Sequence, residues 1–474
     1  MHPYDMVRLF ENGFSPRLTT PRLAKRFSNS IVFTLPILAG EVNPIDFILM
    51  EGIRVFYPDA YVFIRDNSKY FLLNDTLANV GKGPDEYREI RAKAFEALEP
   101  NERGAVESLV EYLFPRTIRT VMHVTYEQYP EEYRDQRVCS PAYFDRYFAY
   151  AVPKGDVSDQ LIGEFVASIS GLSAQEIAPK LASIFEHGDM GGVLRRLSYK
   201  TIALDAETCG TLVKAIISVG HLFQGSDGTT GIMPVSHSAW FLSEDLLRRI
   251  QWDDRQIVIR SIVRNSEPLT SVASWLWWIT PTKPSRIPPI IPDASFGREM
   301  FELIAARIRD MLQSDSVFDA SMLPYTRVLL YCWLHGASRD EVQSYLVAQF
   351  RASPENLSRF LTLFAPVGMT IGRAGAQIPF IGDLDQDHYA QISKLLDPNV
   401  VQESLCLVYG DLMSSAVFES WRDSDLMPDL RLAHQFTHLH TSVQQERLPA
   451  TVEEIAPSCE DQPDVLSQKE SDEH

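Results

Sequence analysis

"TPRLAKRFSNSIVFTL", residues 20–35, sets the grammar of the whole chain. Leu23, Phe27 and Ile31 recur every four residues and fall on one helical face, while Arg22, Lys25, Arg26 and Asn29 fall on the other. Thr20 is an N-cap residue and Pro21 suits the first helical turn, where its missing N–H leaves no bond unmade. The next segment repeats the pattern. Asn43 caps, Pro44 opens, and Ile45, Ile48, Leu49, Gly52, Ile53 and Phe56 form the apolar stripe. Pro58 then stops that helix and starts another, "PDAYVFIRDN".

Helical spacing continues along the chain. "GKGPDEYREIRAKAFEALEPNERGAVESLVEYLF" reads as a linker and two helices with charged outer faces. Ser140 and Pro141 are expected to start a helix that carries Tyr143, Phe144, Tyr147 and Phe148 as an aromatic core stripe. Ser158 is expected to cap a helix with Leu161, Ile162, Phe165, Val166 and Ile169 inward. From residue 172 onward further amphipathic or buried helices follow, with no fixed sequence period that would define a tetratricopeptide or similar array. Period-two alternation is scarce, and the glycine-rich "VGMTIGRAGAQIPFIGD", 367–383, reads as a loop. The expected fold class is all-α, a multi-helical array. Its expected segments are 1–75 as a first helical group, 76–280 as a helical middle, 281–295 as a proline-rich linker, 296–443 as a second helical region, and 444–474 as a disordered acidic tail.

Composition narrows the function classes. The chain has 474 residues with a formal charge of −19, which as a whole repels nucleic acid and anionic membrane but leaves room for a local basic site. The richest apolar run, residues 31–56, is interrupted by Glu41, Asp46, Glu51 and Arg54, so no membrane span is read. No secretory signal is visible at "MHPYDMVRLF". The cysteines, Cys139, Cys209, Cys332, Cys406 and Cys459, form no C-x-x-C pair, match no zinc spacing and fit a cytoplasmic protein.

No G-x-x-x-x-G-K-[ST] loop is present: "GKGPDE" lacks the spacing and "GSDGTTG" lacks the lysine. "LCLVYGDL" resembles a Walker B strand only superficially and reads as a helix. His434 and His438 sit one turn apart with His440 nearby, but no glutamate follows His434 and no third metal ligand stands out. His187, beside Asp189, reads as a helix end. No catalytic residue and no metal ligand is assigned.

Arg22, Lys25 and Arg26 remain. Cations in a first helical turn face free N–H groups and the positive end of the helix dipole, an electrostatic cost that a bound anion would offset. The alternative is a basic surface face paired with acids such as Glu41.

The stretch from about residue 15 to 67 resembles the closing helices of the KAP family P-loop NTPase domain, on the segments "TPRLAKRFSN", "GEVNPIDF" and the aromatic-proline turn "FYP". "RVCSPAYFDRYFAYAVPKGDVSD", 137–159, resembles the stretch that follows the NTPase core in bacterial members. The resemblance implies STAND-like, often oligomeric ATPase machinery, with several bacterial members in anti-phage defence. It also implies that Arg22, with Lys25 and Arg26 beside it, reads nucleotide from a helical lid. The family's Walker A and Walker B segments precede these helices, and this sequence has none there. The resemblance therefore implies a non-catalytic C-terminal module acting through protein contacts, with a KAP ATPase half or a second copy as partner. ATP and Mg²⁺ would enter only with a partner ATPase segment. The other reading is a stand-alone helical scaffold without nucleotide dependence.

Overall fold

A computed structural model describes residues 3–72, 95, 98–115, 135–223, 235–280, 288–371 and 377–447. The first helix expected after "GKGPDE", the "GSDGTTG" segment, most of the proline-rich stretch, Cys459 and nearly all of the acidic tail lie outside them. The described chain is all-α with one β-hairpin. It divides into two compact units, Met1–Val317 and Phe318–His474. The division falls beyond the proline-rich stretch, whose Ile290 and Ile291 are buried in the first unit.

The first unit opens with α1 (Pro3–Gly13), α2 (Pro21–Thr34), α3 (Pro44–Phe56), α4 (Pro58–Asp66) and α5 (Pro100–Leu113). Caps form as the sequence dictates. Thr20 Oγ1 accepts from Leu23 N–H at 3.3 Å, and Asn43 Oδ1 accepts from Ile45 and Asp46 N–H at 3.0 and 3.2 Å. On α2, Phe27 is buried, with Leu23 and Ile31 packed on the same core. Helix α3 is covered on nearly every side: beside the expected stripe, Asp46, Phe47, Met50 and Glu51 are also buried. A single core runs from Leu9 to Tyr147, so residues 9–72 share their interior with α5 and the 138–148 segment.

Residues 140–145 form turns, and only α6 (Arg146–Ala149) is helical there, a correction to the helix expected from Ser140. The 3₁₀-type bonds Tyr143 N–H to Ser140 and Arg146 N–H to Tyr143, both 3.0 Å, tighten the segment and turn Tyr143 and Arg146 into a buried charge network. The aromatic stripe is core, as expected: Tyr143, Phe144 and Tyr147 are buried.

Ser158 caps α7 (Asp159–Ser168), and its Oγ accepts from Gln160 and Leu161 N–H. Then come α8 (Ala174–Phe185), α9 (Met190–Lys200), α10 (Ala206–Ser218), α11 (Val235–Arg248), α12 (Trp252–Asn265), α13 (Leu269–Ile279) and α14 (Ala294–Met311). Helices two apart in this order pack together: α7 on α9, α8 on α10, α9 on α11, and α12 on α14.

The second unit holds α15 (Thr326–Gly336), α16 (Arg339–Ala352), α17 (Pro354–Thr362), β1 (Val367–Ile371), β2 (Gln377–Ile381), α18 (Gln386–Leu395), α19 (Pro398–Tyr409) and α20 (Pro428–Arg447). Helix α20 is central, with Leu432, Ala433 and Phe436 fully buried, and it carries residues 444–447 that the sequence assigned to the tail. The segment read as a loop is an antiparallel hairpin with Met369 opposite Pro379. It forms because Gly368 leaves room for Phe380, whose ring stacks on Trp421 at 3.7 Å. "LCLVYGDL" belongs to α19 and the turn after it, as the helical reading expected.

Candidate functional site

Arg22, Lys25 and Arg26 all lie on the exposed side of α2, and none has an ion-pair partner among the described residues. At the helix start Pro21 offers no N–H, Leu23 N–H is taken by Thr20, and Ala24 N–H bonds Thr20 O at 3.2 Å. Beside this end lies a shallow pocket of about 240 Å³ lined by Pro16, Arg17, Thr19, Leu23, Val55 and Phe56. Arg17 is held there by Glu102 and by the Tyr57 ring, 5.5 Å away. The structure thus brings the three predicted cations together at one exposed helix end, next to a concave surface.

Several other arginines of this unit are engaged. Arg54 pairs with Glu51 at 2.7 Å and Arg137 with Asp46 at 2.7 Å. Glu41, suggested by sequence as a partner for the basic face, instead accepts from Arg146 Nη1 at 2.5 Å. It also accepts from Ser158 Oγ at 2.5 Å and from Asp159 and Gln160 N–H at 2.9 and 3.1 Å. Its carboxylate therefore sits on the N-terminus of α7, where free amides and the helix dipole favour an anion.

Sequence reasoning missed this network. Arg146 also binds Asp156 at 2.7 Å and Val157 O at 2.8 Å, while Arg196 reaches Asp156 at 2.7 Å and Asp159 at 3.1 Å. Tyr143 donates to Asp159 at 2.8 Å, and both guanidinium groups lie within 5.5 Å of its ring. Burial, with the Asp159 charge, pushes the Tyr143 hydroxyl well above its ordinary range, so it stays a donor. A signal existed: Glu41, Asp46 and Glu51 interrupt an apolar run, and charges on an inner helix face need buried partners. The network ties residues 41–46 to 137–159 and to Arg196 in one framework.

Glu51 gives a pH test. Burial alone would raise its carboxyl, but bonds from Arg54 at 2.7 Å, Ser30 and Tyr150 at 2.6 Å outweigh it and hold it below its ordinary value. The folded state therefore binds this proton less tightly than the unfolded chain. The stability it contributes is present above about pH 4–4.5 and is lost as pH falls through the lowered value. Glu51→Gln is expected to lower the urea midpoint at pH 7 and to flatten its decline in acid. Superimposable acid limbs for the two proteins would contradict this.

The histidines flagged by sequence diverge. His434 Nε2 contacts Leu412 O at 3.1 Å, His440 Nδ1 contacts the Tyr389 hydroxyl at 2.9 Å, and His438 lies against Phe418. Among the described residues no group of three His, Cys, Asp or Glu could hold a metal ion. His187 Nδ1 bonds Ser183 O at 2.7 Å just past α8, and Asp189 caps α9. Among the described residues no helix is long and apolar enough to cross a membrane.

Fold and site together define an all-α protein that presents a cationic helix end on its first unit. No model of a known family, no curated protein and no solved structure matches the chain.

Proposed function

We propose that the chain is a non-catalytic helical module of KAP type that works by contact with a separate P-loop ATPase segment, Arg22 facing the nucleotide that the segment holds. The observation that carries this reading is the contrast among arginines. Those at 17, 54, 137 and 146 are tied to carboxylates of this chain, whereas Arg22, Lys25 and Arg26 stand together at a helix start without such partners among the described residues. Cations so placed reach the outer oxygens of a triphosphate. They do not supply the glycine-rich cradle that its inner phosphates need, and that cradle falls to the partner.

The test mixes the pure chain with a separately expressed KAP-type P-loop domain loaded with ATP and Mg²⁺, and reads association by calorimetry. Binding is expected with ATP, with a loss of about tenfold on Arg22→Ala, the order of one charge-assisted contact. Equal affinity of the wild type and Arg22→Ala would remove the nucleotide-facing role. Association that ignores the nucleotide would favour a stand-alone scaffold, and ATP turnover by the pure chain would overturn the non-catalytic reading.

A further inference from the structure

The face of α2 that carries these cations continues into apolar residues. Val32 is 63% exposed, Phe33 72% and Ile37 67%. Arg22, Arg26 and Phe33 fall on one line of the helix, with Lys25 and Val32 on the line beside it. The turn after α2 keeps that line going, because Leu38 N–H still bonds Thr34 O at 3.3 Å and turns Ile37 outward below Phe33. The result is a strip roughly 20 Å long at 1.5 Å per residue, cationic at one end and apolar at the other.

The apolar end of such a strip is costly to leave in water. Single exposed apolar residues are ordinary, but three neighbours on one helix and its closing turn form a patch of the kind that marks an interaction site. The inner face of α2 already fills the core through Phe27, Leu23 and Ile31, so the outer residues are not needed for folding. Their chemistry specifies the occupant: carboxylates opposite Lys25 and Arg26, with Arg22 at the end of the strip left to the nucleotide, and aliphatic or aromatic side chains opposite Val32, Phe33 and Ile37. An anionic bilayer fits less well. Electrostatic membrane attachment uses clusters of about four to eight basic residues, and this chain carries −19 overall.

We infer that the outward face of α2 docks a segment of a partner protein that is acidic over one half and apolar over the other, about four helical turns long. This deepens the protein-contact reading above and rests on it.

The probe is a fluorescent 16-residue peptide with glutamates in one half and leucines in the other, read by anisotropy against the full chain. Its lysine-for-glutamate twin and vesicles containing phosphatidylserine serve as comparisons. The acidic peptide is expected to bind saturably and to weaken as salt rises. It should lose at least tenfold in affinity on Phe33→Ser combined with Ile37→Ser, and again on Lys25→Glu combined with Arg26→Glu. These exposed sites leave the fold intact, which circular dichroism checks. Equal binding of the lysine twin, no saturable binding, or indifference to both pairs of substitutions overturns the inference. So does vesicle binding that the same substitutions abolish. The two readings fail separately. Peptide binding that depends on Phe33 while Arg22→Ala leaves ATP-linked association unchanged removes only the nucleotide role. ATP-linked association that ignores Phe33→Ser with Ile37→Ser removes only the docking strip.

Discussion

Arg146→Leu is expected to cost about 3–5 kcal/mol of folding stability, the range seen when one member of a buried ion pair is removed. Arg146 is fully buried, bonded to Glu41 at 2.5 Å, Asp156 at 2.7 Å and Val157 O at 2.8 Å, and stacked 4.9 Å from the Tyr143 ring. Leucine fills part of the volume but leaves the Glu41 and Asp156 carboxylates facing an apolar side chain. Arg146→Lys keeps the charge and loses the planar fork, so it should recover only part of the loss. Replacing both partners, Arg146→Leu with Glu41→Leu, removes the pair's charges together. It should cost less than the sum of the single changes, because Glu41 is no longer stranded while Asp156 keeps Arg196 at 2.7 Å. Denaturant melts of the four proteins provide the cycle. Additive losses would show that Arg146 and Glu41 are not coupled.

Gly52→Ala is expected to destabilise by about 2 kcal/mol, within the range for overpacking a close-fitted core. An added Cβ would lie 2.3 Å from Phe14 Cζ, and Phe14 has nowhere to retreat. Its ring is fully buried among Phe10, Phe27 and Phe56, with centroids 5.9, 6.0 and 5.6 Å away. In a free helix the same change would gain about 1 kcal/mol from backbone propensity, so the sign of the effect isolates the close approach. In a Phe14→Leu background the added methyl gains room. Gly52→Ala should then be neutral or stabilising relative to that background. Stabilisation by Gly52→Ala in the otherwise unchanged protein would mean that Phe14 does not occupy the place above Gly52.

The elements were readable because each rests on neighbours in the chain. Caps at Thr20, Asn43 and Ser158, prolines at first turns, and four-residue apolar spacing are all decided within a turn or two of backbone. The hairpin at 367–381 was harder. Its strands are five residues each, and what holds them is Trp421 stacked on Phe380 from far along the chain. The helix expected from Ser140 failed for a related reason, since Tyr143 and Arg146 take their places from Asp159 and Glu41 rather than from local propensity. The candidate site was legible in part. Its cations stand out by sequence, while the exposure of Val32, Phe33 and Ile37 depended on which face of α2 the core claimed.

The sequence by itself determined an all-α architecture, the inward stripe of Leu23, Phe27 and Ile31 on α2, and the grouping of Arg22, Lys25 and Arg26 at its start. Periodicity and capping are short-range properties, so one dimension suffices to read them. Only the tertiary structure decided which charges are spent inside. Glu41 goes to Arg146, Asp46 to Arg137 and Glu51 to Arg54, and the α2 cations are left facing outward. That allocation is set by burial: a charge removed from water must take the partner that packing brings within about 3 Å, and the partners of Glu41 and Asp46 lie some ninety or more residues away.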